Sequence, residues 1–276
     1  MKTTVNELRR ALCETLTPST DEASVLADMI ISFALCTDRA TLLTLTDVQV
    51  DEQTVIICED MVRRFIGGTP VQYIFGECYF AGHPVKIGSG CFIPRSDTEV
   101  LAAAAVALLP ENGSFADICC GSGCISLAVA SERPDAKGLA LDYYPKPLSF
   151  SEENLKDCKN VSVRRFDALD AQEYASVGKL DMILSNPPYI PTEDIDFLDT
   201  HVQCEPRTAL DGGEDGLRFY RAIIEYGKGY LNENGRFLFE VGYDQAQSVC
   251  ELLEKAGFNA HTKQDLGGIE RLVYTD

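Results

Sequence analysis

The stretch from 114 to 142 narrows the folds open to this chain more than any other. Residues 114–119 read as a buried strand, FADICCGSG turns through Gly121 and Gly123 into an apolar helix at 124–131, and a second strand ends at Asp142. Two strands joined through a helix lie parallel, because the chain must cross back over the sheet between them. A parallel sheet needs helices on both faces. The chain continues in that rhythm, with a helix near 149–156, strands at 161–166 and 182–185, a long loop, a helix from 216 to 230, a strand at 236–241, a helix at 244–256 and a strand at 271–275. The expected fold class is therefore α/β, a mostly parallel sheet, with the last two strands as an antiparallel edge.

The first 70 residues lack this alternation and read as helices. Thr20 is a plausible N-cap for an amphipathic stretch ending near Cys36, and Asp38 for a short helix after it. Residues 51–65 form the clearest helix: Val55, Cys58, Met61, Val62 and Phe65 share a face, and Gly67, Gly68 and Pro70 end it. Aromatic and β-branched residues between Gly76, Gly82, Gly88 and Gly90 suggest a hairpin. The expected division is a helical domain at 1–70, a hairpin linker at 71–97 and an α/β domain at 98–276.

Of the 276 residues, 24 are Lys or Arg and 43 are Asp or Glu, for a net charge of −19. That argues against a protein that coats nucleic acid and favours a basic partner. The 11 cysteines are scattered. Without an apolar leader in MKTTVNELRR, or an apolar run long enough to span a bilayer, they suggest a cytoplasmic protein with reduced thiols. Cys119, Cys120 and Cys124 cluster, but no second pair at zinc spacing accompanies them, so no metal is expected.

The glycine turn opens a helix at the carboxyl end of a strand, where such folds bind ligands. Asp142 ends the next strand and can accept both hydroxyls of a ribose. Neither a GxGxxG pattern nor a Walker A lysine is present, which leaves a nucleoside without phosphates, S-adenosylmethionine being the common one. Further on, DMILSNPPYI runs a buried strand into two prolines, which stiffen the loop at the sheet end. The Asn186 side-chain oxygen and the Pro187 backbone carbonyl could each accept one N–H of a planar NH2 group. Holding both hydrogens favours positive charge on nitrogen as a methyl arrives, and Tyr189 can stack on the flat group.

These stretches, with TPVQYIFGECYFAG and FIPRSDTEVL at 69–101, EPRTALDGGEDGL at 205–217 and KQDLGGIERLV at 263–273, resemble the release factor glutamine methyltransferases, the HemK/PrmC family. The resemblance covers nearly the whole chain. It implies a helical N-terminal domain, a hairpin linker and a Rossmann-like methyltransferase domain that methylates the glutamine amide in the Gly-Gly-Gln loop of peptide chain release factors. It implies that Cys119, Cys120, Gly121, Ser122, Gly123 and Asp142 hold S-adenosylmethionine, with Asp167 and Ala168 near the adenine and Asn186 beside the methyl. Asn186, Pro187, Pro188 and Tyr189 would then bind the glutamine, bordered by Phe92 and Arg95. Three positions depart from the family pattern. Cys119 replaces a glycine, which costs about 1 kcal/mol or more if φ there is positive. Ala168 stands where a larger residue often packs on adenine, and Ser96-Asp97 replaces Pro-Glu. The expected partners are release factors, with no membrane or direct nucleic-acid binding, and the expected state is a monomer. The alternatives are an amino methyltransferase acting on adenine in DNA or RNA, and a binding protein that has kept the fold without activity.

Overall fold

The computed structural model describes residues 3–276, which form two compact units, one up to Phe75 and one from Gly76 onward. In the first unit a two-residue strand β1 (Thr3–Thr4) precedes α1 (Val5–Leu16), α2 (Ala23–Ala34) and α3 (Arg39–Leu42). A strand β2 (Gln49–Val50) pairs antiparallel with β1 and is followed by α4 (Glu52–Ile66) and α5 (Val71–Phe75). Leu8, Leu12 and Leu16 of α1 meet Leu26, Ile30 and Ile31 of α2 and Cys58, Met61 and Val62 of α4 in one core. Asp51 caps α4 by accepting from Thr54 N at 2.7 Å, and Asp38 caps α3 through Thr41 N at 2.8 Å. Thr20 caps nothing: its hydroxyl accepts from Glu22 N at 3.1 Å, and α2 starts a residue later without a side-chain cap.

The second unit opens with the hairpin β3 (Glu77–Phe80) and β4 (His83–Lys86), shorter than the glycine spacing suggests because residues 71–75 are helical. There follow α6 (Glu99–Leu108), β5 (Ser114–Ile118), α7 (Cys124–Glu132), β6 (Lys137–Asp142), α8 (Pro145–Leu155), β7 (Val161–Arg165), β8 (Leu180–Ser185), α9 (Thr200–Gln203), α10 (Arg218–Gly227), β9 (Leu231–Glu240), α11 (Ala246–Lys255), β10 (Ala260–Gln264) and β11 (Glu270–Thr275). Seven strands form one sheet in the order β10-β11-β9-β8-β5-β6-β7. The five from β9 to β7 run parallel, while β11 lies antiparallel to β9 and β10 antiparallel to β11. The antiparallel edge thus contains a strand the sequence did not reveal. Residues of β10, AHTKQ, carry no apolar alternation, since an edge strand half in water needs none. Helix α8 starts four residues ahead of the expected 149, because Pro145 is preorganised for the first helical turn.

The parallel strands are apolar throughout, as strands covered on both faces must be: Phe115, Ala116, Ile118, Met182, Ile183 and Leu184 are all essentially inaccessible to water. The strand order reverses between β5 and β8, and the crevice at that reversal lies at the strands' carboxyl ends.

Candidate functional site

The sheet register sets the site. Ile118 pairs with Leu141 on one side and with Ser185 on the other, and Ser185 pairs with Phe239. The next residues along, Asp142, Cys119, Asn186 and Glu240, therefore stand side by side in one row at the ends of four parallel strands. A cleft of about 470 Å³ opens there. Among its walls are Phe92, Cys119 to Ser122, Asp142, Asp167, Ala168 and Asn186 to Tyr189. Two residues expected at the site do not line it. Gly123, at φ +76°, caps the start of α7, and Arg95 pairs with the buried Glu205 while lying 5.3 Å over the Phe92 ring.

On the glycine-turn side, the Asp142 oxygens accept from Gly121 N and from Tyr144 N, both at 3.0 Å. Burial nonetheless raises the Asp142 pKa above the ordinary carboxylate value. The turn is fastened from α8. Ser151 Oγ donates to Gly121 O at 2.7 Å, and Asn154 Nδ2 donates to Ser122 O at 2.9 Å. Asn154 also accepts from Lys86 N at 2.7 Å, tying the turn to the hairpin. Cys119 sits at φ +62°, the left-handed conformation that a residue with a Cβ resists. Its thiol pKa is pushed well above the ordinary value by burial, as are those of Cys120 and Cys124, so these are packing thiols. Beneath the turn, Asp117 is fully buried and accepts from Ser126 N at 3.2 Å and Ser126 Oγ at 2.8 Å, and burial lifts its pKa to about 7.

The Asn-Pro-Pro-Tyr side is built from distant pieces. Asn186 Nδ2 donates to Thr98 Oγ1 at 3.2 Å, from just ahead of α6. The backbone beyond Tyr189 pairs with the loop at 210–212: Ile190 N donates to Leu210 O at 2.9 Å, and Gly212 N donates to Ile190 O at 2.8 Å. Gln245 Nε2 donates to Tyr189 O at 2.8 Å, while Gly242 N donates to Gln245 Oε1 at 3.0 Å. Gly216, at φ +72°, packs so closely that a Cβ would run into the Tyr189 carbonyl. Tyr189 itself packs against the main core as well as facing the cleft, and burial raises its phenol pKa.

Glu205 accepts from Ile93 N at 2.8 Å and pairs with Arg95, so the segment holding Phe92 is tied to the loop rimming the cleft. These contacts make Glu205 a tie within the fold. Thr98, Ser151, Asn154, Gly216, Glu240 and Gln245 were not identified. Only Thr98, in FIPRSDTEVL, and Gly216, in EPRTALDGGEDGL, lay in stretches of the sequence that stood out.

The chain fits two family models: a PrmC N-terminal domain over residues 7–76 and a methyltransferase small domain over residues 96–203. It is 34% identical over 257 residues to the release factor glutamine methyltransferase of Geobacter sulfurreducens, covering 92% of this chain and 89% of that one. It is 32% identical over 278 residues to the enzyme of that name from Vibrio cholerae, covering 99% and 96%. Among solved structures, the hMettl16 catalytic domain in complex with MAT2A 3'UTR hairpin 1 superposes with a TM-score of 0.55 at 13% identity, over 70% of this chain and 74% of that one, a likeness of fold alone. Among the described residues no helix is long and apolar enough to cross a membrane, and no three His, Cys, Asp or Glu residues are grouped to hold a metal ion.

Proposed function

The chain belongs to the release factor glutamine methyltransferase family, and from that premise we propose how its own residues carry out the reaction. It is an S-adenosylmethionine-dependent enzyme that methylates the side-chain amide of a glutamine in peptide chain release factors. The cleft suits the cofactor. Each Asp142 oxygen already accepts one backbone N–H and keeps a lone pair for one hydroxyl of a ribose diol. Over Gly121 the space is open, since a Cβ there would meet nothing within 4 Å. Asp142 and the turn from Cys119 to Gly123 would hold the nucleoside and its amino-acid arm, with Asp167 and Ala168 beside the adenine. When bound, S-adenosylmethionine supplies a methyl group on a positively charged sulfur.

On the other wall, Asn186 Oδ1 and Pro187 O each accept one N–H of the substrate amide, and Pro188 and Tyr189 shape the slot that admits it. Phe92 borders that slot, and Arg95 stiffens it through Glu205. An amide nitrogen is a poor nucleophile because its lone pair is delocalised. Two acceptors fixed on its hydrogens stabilise the positive charge that grows on nitrogen as the methyl arrives, and they aim the lone pair. The methylated nitrogen is acidic enough to lose its proton to water, so no dedicated base is required. The observation that carries this reading is the register that sets Asn186 one strand from Cys119 and two from Asp142. The release-factor substrate would present its glutamine on a Gly-Gly-Gln loop, and the −19 charge suits a basic partner met as a monomer. No observation here favours adenine as the acceptor.

The test is methyl transfer from labelled S-adenosylmethionine to a release factor. Label should appear on the factor, disappear when its loop glutamine is replaced, and fall by about 100-fold or more with Asn186→Ala. Undiminished transfer by Asn186→Ala would end this account of the site.

A further inference from the structure

The Asn186 side chain must show its oxygen, not its nitrogen, to the substrate. The two ends of an amide are nearly the same size, so hydrogen bonding alone decides which faces the cleft. Turned around, the NH2 group would oppose the substrate NH2, donor against donor. Thr98 accepts from Asn186 Nδ2, but a hydroxyl both donates and accepts, and could equally donate to Oδ1 in the flipped orientation. Something must fix the direction of the hydroxyl proton.

Glu240 ends β9 directly beside Asn186, since Ser185 and Phe239 are partners one residue earlier. Glu240 is 2% exposed, the Thr98 and Asn186 side chains lie close enough to its carboxyl to pull its pKa down, and its Oε2 has no hydrogen-bond partner. A buried carboxylate with an unused oxygen is costly, and packing alone gives no reason for it. We propose that Glu240 is a positioning residue for methyl transfer: as an acceptor-only group it takes the Thr98 proton, so that Thr98 must accept from Asn186 Nδ2 and the Asn186 oxygen is turned to the substrate. This rests on the reading of Asn186 given above.

Protonation would undo the arrangement, because a neutral carboxyl can donate. Burial lifts the Glu240 pKa to about 7, against the pull of Thr98, Arg271 and Asn186, with Asp97 adding to the rise. Tyr189 and Tyr220 face it as well, and both are neutral in this range because their own burial, and to a lesser degree its charge, raise their pKa values. Below about pH 7 the carboxyl is neutral and the amide loses its fixed sense.

The experiment measures kcat on a release factor at saturating S-adenosylmethionine across neutral pH, with cofactor affinity and melting temperature alongside. The parent should gain activity as pH rises through about 7. Glu240→Gln should be about 10-fold slower, with no rise across that range and unchanged cofactor affinity. At pH 8 it should melt higher than the parent, because it carries no buried charge. A purely structural glutamate would give the opposite pattern, with stability and cofactor affinity falling together, and that result overturns the proposal, as does parental rate and pH profile in Glu240→Gln. If that variant fails to fold, Thr98→Val should slow kcat and Thr98→Ser should restore most of it; equal rates in the two overturn the relay. Loss of activity in Asn186→Ala with none in Glu240→Gln would sink this inference alone, whereas full activity in Asn186→Ala would sink the reading beneath it.

Discussion

The glycine turn at 119–123 and the Asn-Pro-Pro-Tyr loop at 186–189 flank one cleft, but they are held in different ways. The turn is fastened within one contiguous βαβα unit: Asp142, Ser151 and Asn154 all lie within about 35 residues of it, on the strand and helix that follow. The loop is fastened by Thr98, Gly212, Gly216 and Gln245, from α6 to the start of α11. A ligand pocket reused across many chemistries can be a local module. A slot with the proposed task of presenting two acceptors to one NH2 group needs several elements to agree on its position, because small misplacements of reacting groups are expensive.

The contrast can be broken most sharply at Gly216. Gly216→Ala puts a methyl against the Tyr189 carbonyl at a φ that alanine resists. Methyl transfer should drop by about 100-fold, while calorimetry finds S-adenosylmethionine binding nearly as tight as in the parent. A parallel loss of both would mean that turn and loop are one rigid body. The converse substitution is Asn154→Ala. It removes the amide that donates to Ser122 O and Lys86 O and accepts from Lys86 N, bonds of about 0.5–1.5 kcal/mol each. Cofactor affinity should weaken by about 10-fold with kcat at saturation little changed; a fall in kcat instead would place the hairpin's influence on the substrate slot. The smallest effect is expected from Cys119→Gly. Relief of about 1–2 kcal/mol of left-handed strain is set against about 0.5–1 kcal/mol of extra chain entropy, for a net gain of roughly 0.5–1 kcal/mol. Thermal melting should rise by a few degrees. A fall would mean that packing of the thiol against the core outweighs the strain.

Cys119 also shows what a sequence can pose without answering. A cysteine in place of a turn glycine is visible in the residues, but whether it matters depends on φ, and φ is +62°. The βαβ turn, the row-end position of Asp142 and the stiff loop after β8 were legible because each is written in neighbouring residues. Strand β10 was not, since an edge strand half in water carries no apolar period. Arg95 was expected at the cleft and is instead committed to Glu205, 110 residues on. Spacing cannot reveal such a pair.

By itself the sequence determined the parallel α/β unit, the glycine turn and the Asn-Pro-Pro-Tyr loop, because local periodicity, proline and glycine act over a few bonds. Only the tertiary structure decided that Asp142, Cys119, Asn186 and Glu240 share one row, and that Thr98, Gln245 and Gly216 close around Asn186 and Tyr189. Strand register and long-range hydrogen bonds are set by how whole faces pack, and no short window of residues contains that information.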